Sequence, residues 1–277
     1  MGFVRTKSEV QNHHQCVQQN KKNPSDDLSH ERLMWDILQE KIDTLINNIN
    51  SSNIMKIVEE TVSLDLIKGR GLFCRAVIKS LEATQTPVPI LAAFVAAINI
   101  EFPDVGYLLL KRIVLQLKST CKSKDRVQLF NTVKLIAHLV NQSVVIGSFA
   151  LGLLMFLLQD GSDEASVEAA VSFLIECGNA LQDLIPNNLN CIFECLGTIL
   201  EEGHVSKKLQ DHIKELFMMR QAKFEGCPDI PLGLELVDLN DQVTHEICLY
   251  YVLDPELSLD EFSSESRIEV GGLLCYQ

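Results

Sequence analysis

The sequence is short of aromatic rings and of positive charge. Only 6% of its 277 residues are aromatic, and these are 12 Phe, 4 Tyr and 1 Trp. Its core must therefore be aliphatic, and few rings are left on which nucleic-acid bases could stack. Lys and Arg number 24 against 37 Asp and Glu, a net charge of −13. That balance excludes broad, non-specific duplex binding, which needs cations opposite the phosphates. Catalytic motifs are absent as well. There is no Gly-x-x-x-x-Gly-Lys-Ser/Thr loop, no Gly-x-Ser-x-Gly elbow and no His-Glu-x-x-His helix, the spacings that bring phosphate, acyl or zinc chemistry together. Asp241 and His245 stand at the spacing of an acid–base pair, but Asn240-Asp241-Gln242-Val243-Thr244-His245 reads as a capping and turn network. The sequence predicts no enzyme and no cofactor.

The nine cysteines do not form a disulfide framework, since the count is odd and the chain is long for one. Cys74, Cys177, Cys191 and Cys195 fall inside apolar helical patterns and read as reduced core thiols. Cys191 and Cys195, four apart, share a helix face, but no His or acidic residue is placed to complete a metal site, so none is expected. Hydrophobic runs are short. Leu135 to Gln159 holds no Asp, Glu, Lys or Arg, yet His138, Asn141, Gln142 and Ser143 interrupt it. The apolar part, Val144–Leu158, falls short of the roughly 18–20 residues that a spanning helix needs. It reads as two core helices with a polar turn between them. Met1-Gly2 with Thr6 matches the myristoylation template, with a bulky Phe3 beside the glycine. A membrane-associated helical protein is thus one alternative, weaker than a soluble one. Residues 1–27, rich in Gln, Asn, Lys and His, read as a disordered polar tail.

What the sequence does have is helical periodicity. Trp35, Leu38, Ile42, Leu45 and Ile49 recur in steps of three and four, which predicts an amphipathic helix over 31–50. Ser51 or Ser52 is expected to cap a second helix, with Ile54, Ile57, Val58 and Val62 inward. Lys68-Gly69-Arg70-Gly71 reads as a turn before a helix carrying Leu72, Phe73, Val77 and Leu81. Pro87, Phe102-Pro103-Asp104 and Pro186 mark further helix starts, and Gly178 and Gly203 are expected stops. Val127, Phe130, Val133, Ala137 and Val140 make another stripe, and Leu189, Ile192, Phe193, Leu196 and Leu200 another. About ten helices at 35–40 residues per pair give an all-α, HEAT-like α-solenoid of about five antiparallel helix pairs. Three regions are expected: the tail 1–27, a helical domain 28–224, and an acidic, Pro-containing tail 225–277 laid over the end of the solenoid.

Several segments occur together in one order: Trp35 with Ile46-Asn47-Asn48, Ile67-Lys68-Gly69-Arg70-Gly71-Leu72, Phe102-Pro103-Asp104-Val105-Gly106 and Leu110-Lys111-Arg112-Ile113. They are followed by Ala137-His138-Leu139-Val140-Asn141-Gln142, Ser166-Val167-Glu168, Glu176-Cys177-Gly178, Ile192-Phe193-Glu194 and Asp241-Gln242-x-Thr244-His245. In this order and spacing the chain resembles the middle domain of eukaryotic initiation factor four-G (the MIF-4G fold). Within that group it is similar to the nucampholin family of pre-mRNA-splicing factors, and looks like a truncated paralogue. The resemblance implies a nuclear, monomeric, non-enzymatic adaptor. It would bind a DEAD-box ATPase of the exon-junction complex, hold it open and bring it to the spliceosome, touching RNA weakly or indirectly and no membrane. It further implies that Asn47, Asn48, Lys68 and Arg70 belong to one helicase-binding surface. The family has Lys where this chain has Asn48. A translation or mRNA-decay adaptor of the initiation-factor type is the alternative in the same fold.

Overall fold

The computed structural model describes residues 24–159, 161–238 and 240–263. Among them the chain forms ten helices: α1 (Pro24–Asn47), α2 (Ile54–Val62), α3 (Arg70–Glu82), α4 (Val88–Glu101), α5 (Pro103–Ser123), α6 (Arg126–Asn141), α7 (Gly147–Leu157), α8 (Glu164–Leu184), α9 (Pro186–Glu202) and α10 (Lys207–Gln221). A short 3-10 turn, Leu257–Asp260, follows. α1, α3 and α5 stack as one layer; α2, α4, α6, α8 and α10 stack as the other; α7 and α9 pack on each other and on α8. One continuous apolar core runs from Trp35 in α1 to Leu216 in α10. The fold is an all-α, HEAT-like solenoid of five helix pairs, as the periodicity predicts. The pairs are stable only together, because each buries its apolar stripe on its neighbours. No helix among the described residues is long and apolar enough to cross a membrane. Gly2 and Thr6 lie outside the described residues, as does most of the 1–27 tail.

Local departures from the expected elements have physical reasons. α1 begins at Pro24 rather than 31, since a proline suits the first helical turn. It ends at Asn47, where an asparagine cluster, not Ser51 or Ser52, makes the corner. Asn53 Nδ2 donates to Asn48 O (2.9 Å), and Asn53 Oδ1 accepts from Asn50 N (2.8 Å). α3 starts within the expected turn, with Gly69 as its N-cap. α8 runs through Gly178 to Leu184. That glycine ends nothing; a Cβ there would sit 2.4 Å from Phe224 Cζ, so it makes room for a ring. Val127, expected inward, is exposed in the first turn of α6. Cys74 and Cys177 are buried, and burial pushes the Cys74 thiol up to about 12, so it is inert. Cys191, expected in the core, is exposed.

The largest difference lies after α10. The segment 222–262 is not confined to the solenoid end; it runs back along the whole stack as a strap. Phe224 packs on Gly178 of α8. Asn141 Nδ2 donates to Asp229 O (2.7 Å), and Gln142 Nε2 donates to Leu234 O (3.2 Å). Asn99 at the end of α4 donates to Gln242 Oε1 (2.8 Å) and Val243 O (2.7 Å), and accepts from His245 Nε2 at 2.7 Å. His245 thus pairs with Asn99 and lies against the Tyr107 ring (5.5 Å between centroids), not with Asp241. Its burial lowers its pKa from the ordinary value. Phe262 finally reaches the edge of Trp35 in α1, with centroids 6.4 Å apart. Side-chain amides at helix ends supply the donors that an irregular segment's carbonyls need when buried.

Beside the strap's first anchor lies an ionic cluster. Glu176 Oε1 is 2.6 Å from Lys134 Nζ and Oε2 is 3.3 Å from His138 Nε2. His138 first, and then Lys134, outweigh the cost of burial and hold the Glu176 carboxyl at about 2, against an ordinary 4.5. A carboxyl depressed on folding stabilises above its ordinary pKa and loses that contribution as pH falls towards the folded value. Glu176→Gln is therefore expected to lower the melting temperature at neutral pH and to flatten its fall between about pH 4.5 and 2. Melts across that range check this; parallel acid limbs would show the pair contributes nothing.

Candidate partner-binding surface

The first two helix pairs hold all four residues the sequence singles out. The corner after α1 fixes Asn48 tightly: its Nδ2 donates to Thr44 O (2.8 Å) and its carbonyl accepts from Asn50 and Asn53. Asn47 stands on the outer face of α1, where it lines a shallow depression of about 410 Å³ with Asp36, Gln39, Glu40, Asp43 and Thr44. Three carboxylates make this face acidic. It is the polar side of an amphipathic helix whose opposite stripe carries Trp35, Ile42 and Ile46.

Lys68 and Arg70 sit on the turn into α3. Gly69 presses that turn against the inner side of α1, where a Cβ would meet Leu38 Cδ2 at 3.0 Å and Ile42 Cδ1 at 3.3 Å. Lys68 N donates to Asp65 Oδ1 (3.2 Å), and Arg70 Nη1 donates to Ile67 O (2.8 Å), so the turn is braced by its own side chains. Both basic side chains are partly accessible, and Ile67 beside them is 59% exposed. At 100° per residue, Asn47 lies roughly 140–180° around α1 from Ile42 and Leu38. The structure therefore brings Lys68 and Arg70 together and sets Asn47 on another side of α1. These residues make two patches on the first helix pairs, an acidic amide patch and a basic apolar turn.

Sequence reasoning missed what lies behind the basic turn. Arg112 in α5 is 5% exposed, and its guanidinium gathers the strap. Nε donates to Pro255 O (2.8 Å), Nη2 to Glu256 O (3.0 Å) and Nη1 to Gly71 O (3.2 Å), with Asp260 Oδ1 at 2.8 Å. Lys111 beside it pairs with Glu256 at 2.7 Å, and Arg75 Nη1 donates to Asp260 O (3.3 Å). Gly71 permits this approach, since a Cβ would stand 2.3 Å from Leu259 O. The available signal was an arginine at an inward position between Leu108, Leu109 and Ile113. A buried charge requires a partner. Among the described residues no group of three or more His, Cys, Asp or Glu could hold a metal ion.

No protein-family model matches the chain. It is 36% identical over 243 residues to the pre-mRNA-splicing factor CWC22 homolog of Danio rerio, covering 88% of this chain and 24% of that protein. The human CWC22 homolog is 37% identical over 238 residues, 86% of this chain and 26% of that protein. Pre-mRNA-splicing factor cwf22 of Schizosaccharomyces pombe is 37% identical over 240 residues, 87% of this chain and 27% of that protein. The chain spans about a quarter of the length of these curated relatives.

Proposed function

Because the chain belongs to the CWC22 family of pre-mRNA-splicing factors, as a MIF-4G-type domain matching about a quarter of their length, we propose that it serves pre-mRNA splicing in the nucleus as a non-enzymatic adaptor. Its partner is a DEAD-box ATPase of the exon-junction complex, which it holds open and brings to the spliceosome. The observation that carries this reading is the identity of 36–37% to named splicing factors over 86–88% of the chain. The physics agrees with it. Such an ATPase must close two domains around nucleotide and RNA. A solenoid with one continuous core is stiff, and if it binds the open form preferentially it shifts the equilibrium by its differential affinity for the two forms.

The basic turn and the amide patch are the contacts. Lys68→Glu with Arg70→Glu is expected to weaken binding of the purified ATPase about tenfold, because reversed rim charges repel a partner selected for the opposite sign. Asn47→Asp, adding charge to an already acidic face, weakens it less. Asn48→Lys is expected to strengthen binding by about 1 kcal/mol if an ammonium there gains a charge-assisted contact. Titration calorimetry with ATPase assays checks all three. No heat with either the unaltered chain or Asn48→Lys would reject the reading.

A further inference from the structure

We propose that the strap loop 250–252, with the α5 lysines beside it, docks on the outer face of α1 in a second copy of this chain. The contact departs from the monomer that the family resemblance implies, and it does not rest on the adaptor reading above.

Three observations carry it. First, Tyr250, Tyr251 and Val252 are 70%, 70% and 102% exposed, and none of them belongs to the core. Three large side chains held in succession in water, two of them tyrosines, have the composition of an interface anchor. Second, cations frame this loop. Six of the chain's 24 Lys and Arg fall within 111–126, where Asp125 alone has the opposite sign. Lys111, Arg112 and Arg126 are taken up by Glu256, Asp260 and Glu168. Lys118 and Lys122, one turn apart on α5, have no carboxylate partner, and Lys118 Nζ donates to Tyr251 O at 3.5 Å. Third, the outer face of α1 has the same build with the opposite charge. Leu33, Glu40 and Asn47 recur every seven residues along one stripe, flanked by Asp36 and Asp43. Leu33 is 55% exposed, and none of the three carboxylates is in an ion pair. Within one molecule the two patches do not meet. α3 packs between α1 and α5, and the acidic stripe lies opposite the buried side of α1. A second copy brings them together. Exposed ion pairs contribute little by themselves, so the charges set orientation while the rings and Val252, desolvated against Leu33, supply affinity. Because the same face carries Asn47, a docked copy withholds it from any other partner.

Sedimentation velocity of the full chain over a concentration series tests this. The unaltered chain is expected to sediment faster as its concentration rises. Lys118→Glu with Lys122→Glu sets acid against acid and should weaken self-association about tenfold. Asp36→Lys with Asp43→Lys sets base against base and should do the same. Tyr251→Ser should weaken it about tenfold, the scale of a single interface anchor. Lys207→Glu with Lys214→Glu makes the same change of net charge as the α5 pair at exposed sites on α10, and leaves association unchanged. Mixing the two reversed pairs makes opposite charges face each other again, so the mixture should associate about as tightly as the unaltered chain although neither component does so alone. Misfolded chains could not produce that rescue. A sedimentation coefficient of the unaltered chain that does not rise with concentration would overturn the proposal. So would a mixture no tighter than its components, a Lys118 and Lys122 reversal equal to the α10 control, or Tyr251→Ser equal to the unaltered chain.

Discussion

Replacing Phe193 by alanine is expected to destabilise the chain by about 3–5 kcal/mol, the range for a buried aromatic truncated in a packed core. Phe193 is 1% exposed. It meets Phe217 of α10 edge to face, with centroids 5.3 Å apart, and Arg220 lies 4.1 Å over its ring. Alanine would lose the aromatic pair and the cation contact and leave a cavity between α9 and α10, the last pair of the solenoid. A terminal pair has a neighbour on one side only, so no second interface compensates for the packing it loses. The measurement is chemical denaturation followed by circular dichroism. The expected trace shows an earlier transition, with the last pair melting ahead of the rest. A midpoint unchanged within error would place Phe193 outside the core.

Arg112→Ala should have an effect of similar size, about 3–5 kcal/mol, for a different reason. Removing one partner of a buried ion pair leaves the other charge without compensation. Here the substitution strands Asp260 and withdraws a donor from the carbonyls of Gly71, Pro255 and Glu256. The strap then loses its hold on α3 while its earlier anchors at Asn141, Gln142 and Asn99 are untouched. Limited proteolysis should therefore cut first between 246 and 262, with the helices still intact. A melt within about 1 kcal/mol of the unaltered chain, with no new cleavage, would show that the guanidinium does not secure the strap.

The helices were legible because their signals are local. Trp35, Ile42 and Ile46 reveal a buried stripe by spacing alone, Pro103 and Pro186 open helices by their own geometry, and Gly203 ends α9 with a φ of 68°. Repetition of such stripes at a fixed period also implies stacking, since a lone pair cannot bury its apolar face. The basic turn was legible for the same reason, two glycines and two cations within four residues. Gly178 misled because a glycine that stops a helix and a glycine that admits a neighbouring ring look alike in sequence. Which one it is depends on Phe224, 46 residues away.

The sequence by itself thus determined the fold class and the number of helix pairs, while Asn47, Asn48, Lys68 and Arg70 became candidates through a resemblance to a family. Only the tertiary structure decided that Asn47 and the Lys68–Arg70 turn occupy different sides of α1, because orientation about a helix acquires meaning only once a neighbour's position is known. It alone also decided that residues 222–262 return along the stack to α1. That path has no periodicity to read. It is held by single side chains, Asn99, Arg112, Asn141 and Gln142, meeting backbone carbonyls as many as 144 residues away. A carbonyl is the same at every position of the chain, so nothing in its own residue type tells which donor it will meet.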